Sequence, residues 1–201
     1  MLADVHPTFV YRPGERLSLP ELCAARLDGD VVELGECFIP ADRVETAHLR
    51  AASIASVRAG REDLAFAGAS AAWVHGAGAM PPEEHELQLT QGRRMRRPPS
   101  PRTRVHESLV AEDDVVRLDD ILVVTAGRTM LDLLRWAHKR PDIRNWARAF
   151  AQFDPTLLDD ADRRLRTAPS ADPRGARARA LLERLRGELA DEPRRAELRT
   201  R

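Results

Sequence analysis

Apolar positions along this chain fall into two periods. Short runs of strand length, at residues 64–67 (LAFA), 86–90 (ELQLT), 103–107 (TRVHE) and 121–125 (ILVVT), alternate with turn signals. Two of them, 64–67 and 121–125, feed straight into helical patterns, so the stretch from 64 to 135 reads as the unit around which the chain is organised. Ahead of it, Ser18 is placed to cap a short helix carrying Pro20 in its first turn and Leu19, Leu22, Cys23 and Leu27 at helical spacing. The β-rich runs 31–34 and 36–39 about Gly35 then predict a small hairpin. Asp42 is a good cap for one continuous helix over 43–59, stopped by Gly60. Ser70 is placed to cap an alanine-rich turn at 71–75, and Thr125 a helix over 127–138. Pro141 opens a further helix with Ile143, Trp146, Ala147, Phe150 and Phe153 on one face; helices at 157–165 and 177–189 follow, separated by a linker at 169–175, and the last residues read as frayed.

These elements give an α/β chain of the α+β kind, a small mixed sheet with helices. The expected division is an extended arm and small helix–hairpin element at 1–42, a central domain at 43–140, and a C-terminal helical region at 141–201.

Charge refines the picture. Thirty-two cations balance 32 carboxylates, so no global field favours a polyanion. Residues 1–60 carry nine acids against six arginines, residues 91–104 six arginines and no acid, and residues 163–201 twelve arginines against six acids. Cys23 and Cys37, the only cysteines, suit core positions better than a disulfide framework or zinc site. No apolar run has the roughly 18 residues of a membrane span, and the N-terminus lacks a signal pattern. The expectation is a cytoplasmic protein with no membrane partner and no cofactor.

Several residues invite chemical readings. Ser70 near His75 suggests a hydrolase, yet the nucleophile-elbow pattern needs glycine where Ala72 stands. Gly76-Ala77-Gly78 lacks the lysine and hydroxyl of a phosphate loop. His75, His85 and His106 match no metal-ligand spacing. In GRRMRRPPSPR, from Gly92 to Arg102, prolines forbid regular structure. Arg93, Arg94, Arg96 and Arg97, with Arg102 and Arg104, are candidate phosphate contacts. The other reading is a solvated hairpin loop whose charges meet the acidic stretch 107–120. Arg128 lies in the first turn of its helix, where the dipole disfavours a cation. A buried bridge to Asp132 or to a carbonyl accounts for it, and an anion site is the alternative.

AGASAAWVHG (67–76) followed by VVTAGRTMLDLLR (123–135) resembles the AbiEi-type antitoxin family of bacterial type IV toxin–antitoxin systems, in its actinobacterial branch. Ser70, Ala71, Ala72, His75, Gly76, Val105, His106, Thr125, Arg128, Thr129, Asp132 and Leu133 carry the resemblance, which extends over roughly residues 18–190. It implies a winged helix-turn-helix in front that represses the family's own operon, then an α/β domain serving antitoxicity or dimer contacts. It also implies a nucleotidyltransferase-type toxin as cognate partner. Two departures stand out. Residues 17–42 match one helix and the wing strands but leave no room for a separate recognition helix. Glu33 and Glu36 stand on the wing where the family offers arginine. Some relatives continue into a nuclease-like module, whose carboxylates and strand lysine are missing here; Lys139 falls in a predicted helix.

Two functions remain from different classes. One is an AbiEi-like antitoxin and transcriptional regulator, not an enzyme, that binds double-stranded DNA through the arginine-rich loop. The other is a degenerate relative acting as a protein–protein interaction module. The composition leaves a homo-oligomer open.

Overall fold

The computed structural model describes residues 9–91, 98–138, 140–167 and 173–199, with side chains to Asp191. It is an α+β fold.

Helix α1 (Leu19–Asp28) starts where a capping box closes: the Ser18 N–H donates to Glu21 Oε2 at 2.7 Å, and the Glu21 N–H returns to Ser18 Oγ. It ends at Gly29, in the left-handed conformation with φ 85°. Strands β1 (Val31–Leu34) and β2 (Cys37–Pro40) form the expected antiparallel hairpin. Leu22, Val31 and Phe38 make its small core, and Tyr11 of the arm exchanges backbone hydrogen bonds with Phe38. Leu34 and Ile39 face the other way, into the core of the main domain.

The continuous helix expected over 43–59 is not formed. Thr46, not Asp42, caps α2 (Ala47–Ser53), and Ala55–Arg58 follows as a 3-10 turn. The hairpin explains the break. The Ser53 carbonyl accepts from the Glu36 N–H at 3.3 Å and the Cys37 thiol at 3.2 Å, so it is diverted from the helical ladder. Gly35 makes that contact feasible, since a Cβ there would lie 2.4 Å from Ser53 Oγ.

Strands β3 (Leu64–Phe66), β4 (His85–Leu89), β5 (Thr103–His106), β6 (Val115–Leu118) and β7 (Ile121–Val124) form one sheet in the order β5-β4-β3-β7-β6. β3 pairs parallel with β7 and antiparallel with β4, β4 pairs parallel with β5, and β6 and β7 form a hairpin. β4 and β5 pair parallel, so these two strands do not form the expected hairpin.

Helix α3 (Gly68–Val74) is buried along its whole length. Its small side chains let it lie between two cores: Ala71, Trp73 and Val74 belong to the sheet core, Ala69 and Ala72 to the helical one. The helical core gathers α4 (Ala126–Trp136), α5 (Pro141–Phe153), α6 (Thr156–Thr167) and α7 (Pro173–Arg199). Met130, Leu133, Phe150, Leu158 and Leu182 are among its buried members, so this core crosses the expected boundary at 140. Helix α7 also runs through residues that read as frayed. Among the described residues, no helix is long and apolar enough to cross a membrane.

Candidate functional site: an arginine-lined cleft beside buried carboxylates

The site begins with strand β4. HELQL alternates, which predicts one polar face in water, yet all five residues are buried. Glu86 is 1% exposed, Gln88 0% and His85 2%. Buried polar groups need partners, and each of these has at least one. Glu86 Oε2 accepts from the Ala69 N–H at the start of α3 (2.8 Å), and Oε1 accepts from Arg140 Nη1 (2.9 Å). Gly68 permits this approach, because a Cβ there would fall 1.9 Å from Glu86 Oε2. Gln88 donates to Ser108 O and Oγ.

Ser70 does not cap a helix. The helix starts at Gly68 with Ala67 at the capping position, and Ser70 is fully buried inside it. Its Oγ accepts from the Glu86 N–H at 3.0 Å and lies 3.2 Å from His85 Nδ1. This is a serine–histidine pair closed off from solvent, a tie between α3 and β4. Burial holds the His85 imidazole below its ordinary range.

His75 Nε2 bonds the Val124 carbonyl at 2.7 Å and its ring stacks on Phe150. Burial lowers its pKa, against the opposing effect of that carbonyl. Thr129 Oγ1 donates to the same carbonyl at 3.2 Å. Thr125 sits at the capping position of α4 but makes no capping bond; its Oγ1 is buried without a partner among the described residues. The three histidines of the sheet region therefore do not converge, since His106 has a third environment. Its ring lies flat on Trp136, 3.7 Å between centroids, with Nε2 3.6 Å from Glu86 Oε1.

Arg128 Nε bonds Asp132 at 2.9 Å and Nη1 bonds Asp114 at 2.9 Å. Asp114 also accepts from Arg164 Nη1 at 2.7 Å, which joins α6 to the group. This explains a cation in the first turn of α4: two carboxylates face it. Burial raises the Asp132 carboxyl, opposed by Arg128 beside it. Burial also acts to raise Asp114, but the bonds from Arg164 and Arg128 prevail and hold it low. For Arg128, burial is outweighed by Asp132 and Asp114, which keep its pKa raised.

Glu86, Arg104, His106, Arg128, Asp132 and Arg135 line a cleft of about 660 Å³, with Trp136, Arg140 and Arg174 at its sides. Arg104 reaches it from edge strand β5 while pairing with Glu84 at 3.1 Å. Arg102 lies apart, paired with Glu36 on the β1–β2 turn. The candidates Arg93, Arg94, Arg96 and Arg97, and Lys139, lie outside the described residues. A second hollow, of about 720 Å³, is bounded by Gly60, Arg61, Asp63 and Arg117; Asp63 closes Arg61 there, and no orphaned buried donor lines it.

The sequence missed Glu86, Arg135, Trp136 and Arg140. The one available signal was a carboxylate at an inner position of strand β4.

The class this fold and cleft define is an α+β domain with an arginine-lined, partly buried hollow at the edge of its sheet. No protein-family model matches the chain, and no curated protein matches it.

Proposed function

We propose that the protein is an AbiEi-like transcriptional regulator of the antitoxin type that holds double-stranded DNA by its phosphates from the arginine-rich side of the domain. One observation carries this reading: five arginines from β5, α4, the α4–α5 junction and α7 open on one cleft containing two carboxylates. β5 is also the strand into which the arginine segment 92–102 runs. Phosphates are bound by such clusters without base reading, and the affinity depends steeply on salt. The α1–hairpin element is the poorer candidate for DNA. Residues 18–42 hold six acids and one arginine, and among the described residues a single helix precedes the wing-like strands.

A second reading has its own support. Leu27 is 82% exposed on that acidic element, and Leu19 and Val32 are exposed with it. Exposed apolar residues on an acidic element suit a basic protein partner, which under the first reading is a cognate nucleotidyltransferase-type toxin.

Fluorescence anisotropy on a labelled duplex across a salt series tests the DNA reading. Each phosphate neutralised contributes about −0.9 to the slope of log affinity against log salt. Replacing Arg93, Arg94, Arg96 and Arg97 by Gln should flatten it by up to roughly 3–4. Wild-type protein that fails to bind duplex at low salt leaves the interaction-module reading in its place.

A further inference from the structure

The charges around the cleft do not cancel evenly. Glu86 is answered by Arg140, Asp132 by Arg128, and Arg104 by Glu84, at 2.9–3.1 Å. Arg174 has a partner as well. Two lining groups are left without a hydrogen-bond partner for a buried nitrogen. Arg135 meets Asp132 by charge alone, and its buried Nε has no hydrogen-bond partner among the described residues. His106 Nε2 is likewise buried without a hydrogen-bond partner: Glu86 Oε1 at 3.6 Å is within ion-pair distance but beyond bonding range, and that carboxylate favours the tautomer with its proton on Nε2. A buried donor left without an acceptor is costly, so two lining one hollow call for an acceptor. The acceptor must tolerate two carboxylates that are already neutralised. It must match a guanidinium fork, which selects carboxylates and phosphates. It must also fit a hollow whose wall is a flat His106–Trp136 stack.

We infer that the cleft is a seat for one phosphate group, gripped by the Arg135 guanidinium with His106 Nε2–H as the second donor. The neighbouring ion pairs act as positioning residues: Arg128–Asp132 fixes the turn of α4 that precedes Arg135, and Glu86–Arg140 shields the seat from a bare carboxylate. The phosphate has two sources of one chemistry, a nucleic-acid backbone or a free phosphate monoester. The first rests on the proposed DNA reading; the second does not.

The test uses the full chain. Inorganic phosphate is titrated while the His106 imidazole nitrogens are followed by NMR, and the same preparations are run in duplex anisotropy. Wild type should show a saturable His106 shift, absent in Arg135→Gln. If the source is a backbone, Arg135→Gln should also lower the duplex salt slope by about 0.9, and phosphate should compete with the duplex. A phosphate shift without any duplex binding keeps the seat, assigns it to a free phosphate monoester and removes the DNA reading. Duplex binding that is unchanged in Arg135→Gln, together with no His106 shift in wild type, overturns the seat and leaves the DNA reading standing. No response in either assay removes both. Should Arg135→Gln fail to fold, Arg135→Lys keeps the charge without the fork and should bind phosphate at least several-fold more weakly. The wild-type titration alone still decides against the seat if His106 does not move.

Discussion

The α1–hairpin element and the arginine-lined cleft are attached to the same domain by different physics. The hairpin rests on the domain through buried Leu34 and Ile39 and a few side-chain-to-carbonyl bonds, among them Arg12 of the arm to Ala52 O at 2.8 Å and the Cys37 thiol to Ser53 O. Its own ion pairs, Arg26–Glu33 and Arg102–Glu36, lie at the surface. The cleft is built from carboxylates that are almost wholly buried, each tied to an arginine from another turn or element. Exposed pairs are worth about 0–1 kcal/mol, whereas removing one partner of a buried pair costs about 3–5. Stability should therefore follow the cleft, and surface chemistry should be adjustable on the hairpin.

The largest effect is expected at Gly68. Alanine there would drive Cβ into Glu86 Oε2 and Trp136 from a backbone with φ 49°. Overpacking, left-handed strain and displacement of a buried carboxylate together should cost about 4 kcal/mol. That lowers the melting temperature by roughly 8–16 °C for a chain of this size. A melt indistinguishable from wild type would mean that Glu86 does not depend on the missing Cβ.

Arg128→Ala comes next. It strands Asp132, which is 2% exposed, and removes one of the two arginines on Asp114. The expected cost is about 3 kcal/mol in denaturant titration, with Arg128→Lys recovering part of it. Full stability in the alanine variant would break the comparison at its strongest point.

A smaller effect depends on pH. His75 and His85 are both held by burial below their ordinary 6.5. As pH falls below about 6.5 the unfolded chain takes up protons first, so stability is complete above that value and declines through the acid range until the folded imidazoles titrate. The slope should reach at most about 1.4 kcal/mol per pH unit for each imidazole. Glutamine at His85 should reduce it, and a melting temperature flat from pH 7.5 to 5 would contradict the assignment.

The smallest effect belongs to the hairpin. Glu36→Gln releases Arg102 and weakens an exposed contact, for a change within about 1 kcal/mol by the same melt. A loss as large as that of Arg128→Ala would show that the two regions are not held differently.

Much of the fold was legible because it rests on local signals. The Ser18–Glu21 box, the Gly29 stop and the hairpin about Gly35 need only neighbouring residues. Strand β6 was hidden by its acidic flanks, although VVRL-DD-ILVV has the symmetry of a tight hairpin about Asp119 and Asp120. The break after Ser53 and the parallel pairing of β4 with β5 were not legible, because both depend on contacts with distant segments. The site divides in the same way. Arg128 was flagged by its conflict with the helix dipole, and its partner Asp132 was one turn away. Its other partner Asp114, and the meeting of Glu86 with Arg140 and of His106 with Trp136, depend on packing across sheet and helices. Ser70 and Thr125 looked like caps because cap residues are read from position, while burial gave the one a strand partner and left the other without a capping bond.

The central claim is that DNA is held by the arginine side and not by the wing-like hairpin. Photo-crosslinking of the full chain to a bromodeoxyuridine-substituted duplex, with the crosslinked peptides read by mass spectrometry, tests it directly. The account predicts adducts in residues 93–106 and 128–140 and none in 18–42. Adducts concentrated in 18–42, with the arginine-bearing peptides unmodified, would contradict it.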